Sequence, residues 1–232
     1  AVIRGVANLV KLEAYDARNL PARIDEIERS AAQAGQLVQQ LMLFMRNAPA
    51  SFEEAEVARE LTNSLALLRQ AASQSVEVAL RLENDLPRVN LVSSQFHVAL
   101  LNLVLNARDA VEATAGKQIT IEARRRDFRG YRSVFQPEPV SGVFVAISVA
   151  DTGCGIARGE MAQVFGPFYT TKPEGKGTGL GLTSVLKIMQ THRGWVEVES
   201  EVGKGTRFTL FLPAVTASSL EAEPARGVAT AS

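Results

Sequence analysis

Asn102, Asn106 and Asp109 recur at spacings of four and three in Asn102-Leu103-Val104-Leu105-Asn106-Ala107-Arg108-Asp109-Ala110. On a helix they form one narrow polar stripe, while Phe96, Leu100, Leu103, Ala107 and Ala110 face a core. Stacked amide and carboxylate oxygens suit a hard cation such as Mg²⁺ held together with phosphate oxygens. The plain alternative is a solvated helix face, but Asn is a poor helix former and such faces favour Glu or Lys. A second segment, Asp151-Thr152-Gly153-Cys154-Gly155, follows directly on an apolar run. A strand-end carboxylate can accept a hydrogen bond from an exocyclic amine, and flanking glycines let a flat ring approach the backbone. The same letters also spell an ordinary Asp-x-Gly turn. A third, Gly175-Lys176-Gly177-Thr178-Gly179-Leu180-Gly181-Leu182, leads straight into a helix. Its exposed N–H groups and the helix N-terminus favour phosphate. Eight of the chain's 17 glycines lie between Gly153 and Gly181, too concentrated for a plain linker. Between the glycine clusters, Phe165-Gly166-Pro167-Phe168-Tyr169-Thr170-Thr171-Lys172 joins aromatic anchors to a cation, as a lid over a phosphate tail would.

These segments need a scaffold, and the chain encodes one. Residues 53–213 alternate helix and strand patterns. Val57 to Ala72 reads as a helix, Val76 to Leu82 as a strand, and a long helix capped by Ser93 or Ser94 runs to about Ala113. Strands follow at Ile119 and Ile121, from Val143 to Asp151, at Trp195–Glu199 and at Arg207–Leu212, with a helix over Leu180–Gln190. Residues 125–141, polar and carrying Pro137 and Pro139, read as a hairpin excursion. This order predicts α+β architecture, one helix layer on a mixed sheet. Upstream, Ile24, Ile27, Ala31, Ala34, Val38, Leu41 and Met45 make a heptad seam. Residues 1–48 are therefore expected to form part of an antiparallel helical hairpin that completes a four-helix bundle with a second copy, or else packs on its own chain. Asn47 to Ser51 breaks the pattern, and residues 214–232 read as a flexible tail or linker.

Composition narrows the function. With 25 Lys+Arg against 25 Asp+Glu, the chain offers no field for nucleic acid or an anionic membrane surface. No apolar run is long enough to span a bilayer, and the lone Cys154 fits a reducing cytoplasm. One Cys and two His leave little for a His/Cys metal site.

In this order and spacing the four segments resemble the N, G1, F and G2 boxes of bacterial sensor histidine kinases, in the GHKL ATPase superfamily. Phe168-Tyr169-Thr170-Thr171-Lys172 and the Gly175–Leu182 wording are most similar to the nitrogen-regulation and hybrid-kinase branch. The resemblance implies a two-layer α/β sandwich of the Bergerat type, with ATP and Mg²⁺ as cofactors. Asn106 would coordinate Mg²⁺, supported by Asn102, and Asp151 would hold the adenine amino group in a pocket shaped by Gly153 and Gly155. Lys172 and Lys176 would lie near the phosphates. Gly177, Thr178, Gly179, Leu180 and Gly181 would line them, and Thr206 would help line the site. Many relatives carry Lys where this chain has Asp109. Relatives that hydrolyse ATP carry Glu where this chain has Asn102, and an amide cannot act as a general base.

The resemblance further implies phosphoryl transfer to a histidine, relay to the aspartate of a response-regulator receiver domain, and a homodimer through the helical hairpin. No His precedes His97, which falls away from the Asn stripe and reads as structural, while His192 reads as a helix-terminal cap. Residue 1 reads as mid-helix without a cap, so the acceptor box is expected just upstream. A nucleotide-binding pseudokinase and an anti-sigma-type Ser/Thr kinase on the same fold stand as alternatives, the second disfavoured by the heptad seam.

Overall fold

A computed structural model describes residues 51–112, 114, 116–172 and 178–215. The expected helical hairpin, Lys176, Gly177 and residues 216–232 of the tail lie outside these residues, while Ala214 and Val215 at the tail's start are tied down, donating to the Val143 and Arg88 carbonyls at 2.9 and 2.8 Å. In chain order the elements are β1 (Glu53–Ala55), α1 (Val57–Ala72), β2 (Glu77–Leu82), β3 (Val89–Leu91), α2 (Ser93–Val111), β4 (Gln118–Tyr131), β5 (Val140–Asp151), α3 (Gly181–Thr191), β6 (Trp195–Glu201) and β7 (Gly205–Pro213). Five strands form one mixed sheet in the order β2-β4-β5-β7-β6; only β2 and β4 pair in parallel. β1 and β3 make a separate antiparallel pair.

Period-2 alternation places Ile119, Ile121, Val145, Ile147, Val149 and Leu210 in a buried core. Helices α1, α2 and α3 bury one stripe each, through Leu61 and Leu68, Phe96, Leu100 and Leu103, and Val185, Ile188 and Met189. The expected α+β sandwich is observed.

One local expectation is corrected and another is sharpened. The N-cap of α2 is Val92, without a side-chain cap, so neither Ser93 nor Ser94 caps it. Residues 125–141 form a hairpin as expected, and 125–131 and 140–141 extend the β4–β5 ladder, leaving only 132–139 as the connection. The hairpin turns back over the face of the sheet away from the helices. There Phe128 and Tyr131 pack on Phe144, Trp195 and Phe211, and Tyr131 Oη, Ser133 Oγ and Trp195 Nε1 all donate to Glu197. The aromatic residues gain more from covering that face than the polar stretch gains from solvent.

His192 caps α3 as expected, but as a buried neutral imidazole rather than a cation. Nδ1–H donates to the Ile188 carbonyl at 2.7 Å, and Nε2 accepts the Val92 N–H at 3.0 Å, joining the end of α3 to the start of α2. The ring is 3% exposed, and burial pushes its pKa below 6.5. The unfolded chain takes up a proton that the native ring resists, so this contribution is complete above pH 6.5 and declines as pH falls below it. Melting curves at pH 7.5 and 5.5 are expected to show a loss at the lower pH that shrinks in His192→Gln. An equal loss in both proteins would remove His192 from the account.

Candidate functional site

The polar stripe forms as its spacing predicts, on the half-exposed side of α2, while Leu103 and Ala107 are buried on the other. α3 begins against it. A Cβ added at Gly181 would lie 3.5 Å from Asn102 Oδ1 and 3.8 Å from Asn106 Nδ2, so the helix N-terminus closes on both carboxamides without a side chain between. The first intrahelical donor of α3 is Ser184 N–H, on the Leu180 carbonyl at 2.9 Å. Among the described residues none accepts the amides of Gly181, Leu182 and Thr183, the open donors of the first turn. Helix N-terminus and hard oxygens face one another, an arrangement that takes a phosphate and a divalent cation together.

Asp151 ends β5 and is 9% exposed. Its Oδ1 accepts the N–H groups of Gly153 at 2.8 Å and Thr206 at 3.2 Å, whereas no described residue donates to Oδ2. Burial pushes the carboxyl above the usual carboxylate range, against the pull of those two donors. One oxygen is fixed and the other is left for a ligand's donor. Gly153 is required because α2 passes close by: an added Cβ would lie 2.6 Å from Ala110 Cβ, and Cys154 N–H already donates to the Ala110 carbonyl at 3.1 Å. Gly155 meets the β6–β7 turn in the same way, 2.2 Å from the Glu201 carbonyl oxygen.

Thr206 serves the site through its backbone. Its hydroxyl is occupied by Ser200 Oγ at 2.9 Å, while its N–H holds Asp151. Ser200 also accepts Ile156 N–H at 2.8 Å, and so ties the glycine loop to β6. Thr178 Oγ1 accepts the Leu180 N–H at 3.4 Å, just ahead of α3. Gly179 (φ +64°) backs onto Phe168, whose N–H donates to the Gly179 carbonyl at 3.0 Å. The aromatic segment is thereby pinned to the start of α3, with the Phe168 ring 74% exposed.

Lys172 extends from that segment to the stripe. Its Nζ lies 3.5 Å from Asn106 Oδ1 and forms an ion pair with Asp109 Oδ2. Asp109, the third residue of the stripe, thus stands with Asn106 against Lys172. His97 is outside it, 3.0 Å from Glu60 of α1. Among the described residues no cluster of three His, Cys, Asp or Glu side chains forms a metal cage. The carboxamide oxygens of the stripe would fit Mg²⁺ as an ion shared with phosphate oxygens.

A single helix layer on a mixed sheet, carrying a strand-end carboxylate and a carboxamide stripe against a glycine-led helix, defines an ATP-binding sandwich of the type the motifs imply. Residues 92–216 match the family described as histidine kinase-, DNA gyrase B- and HSP90-like ATPase, and the chain belongs to that family. It is 35% identical over 190 residues to the sensor kinase CckA of Brucella abortus, covering 82% of this chain and 20% of that protein. It is 32% identical over 186 residues to the sensor histidine kinase ZraS of Escherichia coli, covering 80% and 36%. Full-length ShkA, crystallised in complex with AMPPNP, superposes with a TM-score of 0.64 at 24% identity, over 87% of this chain and 40% of that one. That likeness shows the fold. The chain spans a fifth to about a third of the length of the two named kinases.

Proposed function

We propose that this chain is the catalytic core of a two-component sensor histidine kinase, using Mg²⁺-ATP to phosphorylate a histidine on a dimerisation hairpin. Relay then goes to the aspartate of a response-regulator receiver domain. The observation that carries this reading is the meeting of Gly181 with Asn102 and Asn106, 79 and 75 residues away in sequence, which sets phosphate donors against cation ligands. The names of the relatives support it. Asp151 Oδ2 accepts the adenine amino group, while Gly153 and Gly155 leave room for the ring. Gly179 and Gly181 bring backbone donors to the phosphates, while Thr178 Oγ1 holds the Leu180 N–H and Lys172 adds charge. Lys176 and Gly177 continue this set outside the described residues. Asn106 is the protein ligand for Mg²⁺, which when bound neutralises phosphate charge.

In the transfer step a P–N bond forms to the acceptor imidazole as the β–γ bridging P–O bond breaks. ADP leaves, and the imidazole proton passes to solvent. Asn102 contributes no base that would activate water, and this favours transfer over hydrolysis. Assembly as a homodimer and action in the cytoplasm belong to the same reading. Among the described residues no helix is long and apolar enough to cross a membrane.

The test mixes the chain with a dimerisation domain bearing an acceptor histidine and supplies γ-labelled ATP. Acid-labile label is expected on the acceptor, and on a receiver domain added afterwards. Asn106→Ala is expected to lower transfer at least a hundredfold. Nucleotide binding without labelling would overturn the reading.

A further inference from the structure

Asp109 is held from both sides. Arg108 Nε and Nη2 donate to Oδ1 at 2.9 and 2.6 Å, and Arg108 Nη1 reaches the Ala71 carbonyl at the end of α1, at 3.3 Å. Both guanidinium donors converge on Oδ1 and leave Oδ2 for the Lys172 ammonium. Lys172 comes from a segment 63 residues further along the chain, and on Asp109 its Nζ rests 3.5 Å from Asn106 Oδ1. We propose that Asp109 is a positioning residue. It docks Lys172 on α2 beside the oxygen assigned to Mg²⁺, so that a cation is already in place where the triphosphate arrives. The inference rests on the ATP site proposed above and adds to it a role for the acidic end of the stripe.

Two physical effects predict opposite results when this carboxylate is removed. Coulomb repulsion alone says that deleting an anion beside a polyphosphate tightens binding. Positioning says that it weakens binding, because a lysine with four rotatable side-chain bonds must then be ordered by the ligand itself. The geometry favours the second. The carboxylate's charge is shared between Arg108 and Lys172, leaving little net repulsion, whereas its contact with Lys172 is what holds the ammonium near Asn106.

Calorimetric titration of the 232-residue chain with Mg²⁺-ATP and with adenosine is the test. Asp109→Asn is expected to bind Mg²⁺-ATP about tenfold more weakly than wild type, with adenosine unchanged, while Asp109→Glu stays within about threefold. In a Lys172→Met background, Asp109→Asn is expected to cause no further loss, since its effect passes through the lysine. Mg²⁺-ATP binding by Asp109→Asn as tight as wild type or tighter overturns the proposal, and so does a further tenfold loss in the Lys172→Met background. A wild-type chain that does not bind Mg²⁺-ATP at all sinks the function proposed above, before any variant is compared.

Asp109 is a quarter exposed on the helix surface, so its replacement leaves the core intact. Hydrogen exchange provides a readout that needs no Asp109 variant. The Thr170–Lys172 amides of the nucleotide-free chain are expected to lose protection in Lys172→Met, and unchanged protection would overturn the docking.

Discussion

Asp151→Asn is expected to lower affinity for Mg²⁺-ATP at least a hundredfold while leaving the nucleotide-free domain as stable as wild type or more so. The two halves of this result have separate causes. Asn retains an oxygen for the Gly153 and Thr206 N–H groups, so the strand end and glycine loop keep their connection. It replaces Oδ2, for which no described residue competes, with an NH₂ group that meets the adenine amine donor to donor. Stability follows from the proton balance. Burial raises the Asp151 pKa, so the native state binds this proton more tightly than the unfolded chain, whose carboxyl titrates near 3.8. Ionisation at neutral pH therefore costs the native state free energy, and the cost enters as pH rises above that range. Asn carries no such cost. Titration calorimetry and thermal melts at pH 7.5 check both halves, and a variant that binds as wild type would remove Asp151 from the adenine pocket.

Gly205→Ala is expected to be the most damaging single methyl group in the domain. Gly205 opens β7 with φ +115°, a conformation that L side chains rarely adopt, and an added Cβ would lie 1.9 Å from the Asp151 carbonyl oxygen and 2.9 Å from its carbon. Both obstacles are backbone, so β5 or β7 must shift. The shift falls on the neighbouring Thr206 N–H that supports Asp151. Backbone strain and lost ladder contacts together amount to about 3 kcal/mol or more, a fall in Tm of about 10 °C for a domain of this size. Gly203→Ala separates the two causes. It also has positive φ (+79°), but nothing lies within 4 Å of its added Cβ, so only conformational strain of about 1 kcal/mol is expected. Equal effects at the two positions would show that the close approach to Asp151 is not what fixes Gly205.

What could be seen in the sequence was local. The stripe on α2, the strands of the central sheet and the glycine-led entry to α3 are each written within one or two dozen residues, as a period of 3.6, a period of 2 or a composition. Contacts across the chain were not visible in that way. Lys172 and Asp109 are both charged surface types, and only the fold brings them together; Asp109 reads as one end of the stripe, but its lysine partner does not. His192 was read correctly as a cap, but its partner at Val92 lies 100 residues away, and that contact makes the ring buried and neutral. β1 and β3, of three residues each, are too short to carry a period. The 125–131 segment reads as part of a hairpin, but its arginines mask how far the ladder runs and that Phe128 and Tyr131 cover an aromatic cluster. Gly153, Gly155 and Gly179 were assigned to the nucleotide, yet each is also compelled by a neighbouring stretch of the chain itself.

The His192–Val92 hydrogen bond also has a mechanical meaning. From Val92 to Asn102, and from Gly181 to His192, both helices run about 15 Å. α2 and α3 are thus fastened at two points, a hydrogen bond at one end and a bare glycine contact at the other, like two spars joined by a pin and a stop. Such a pair cannot rock about the ATP-binding end without breaking the pin. A methyl group at Gly181 would meet Asn102 and Asn106 at ordinary contact distance, so only a bulkier side chain would press the spars apart at that end while the histidine joint held.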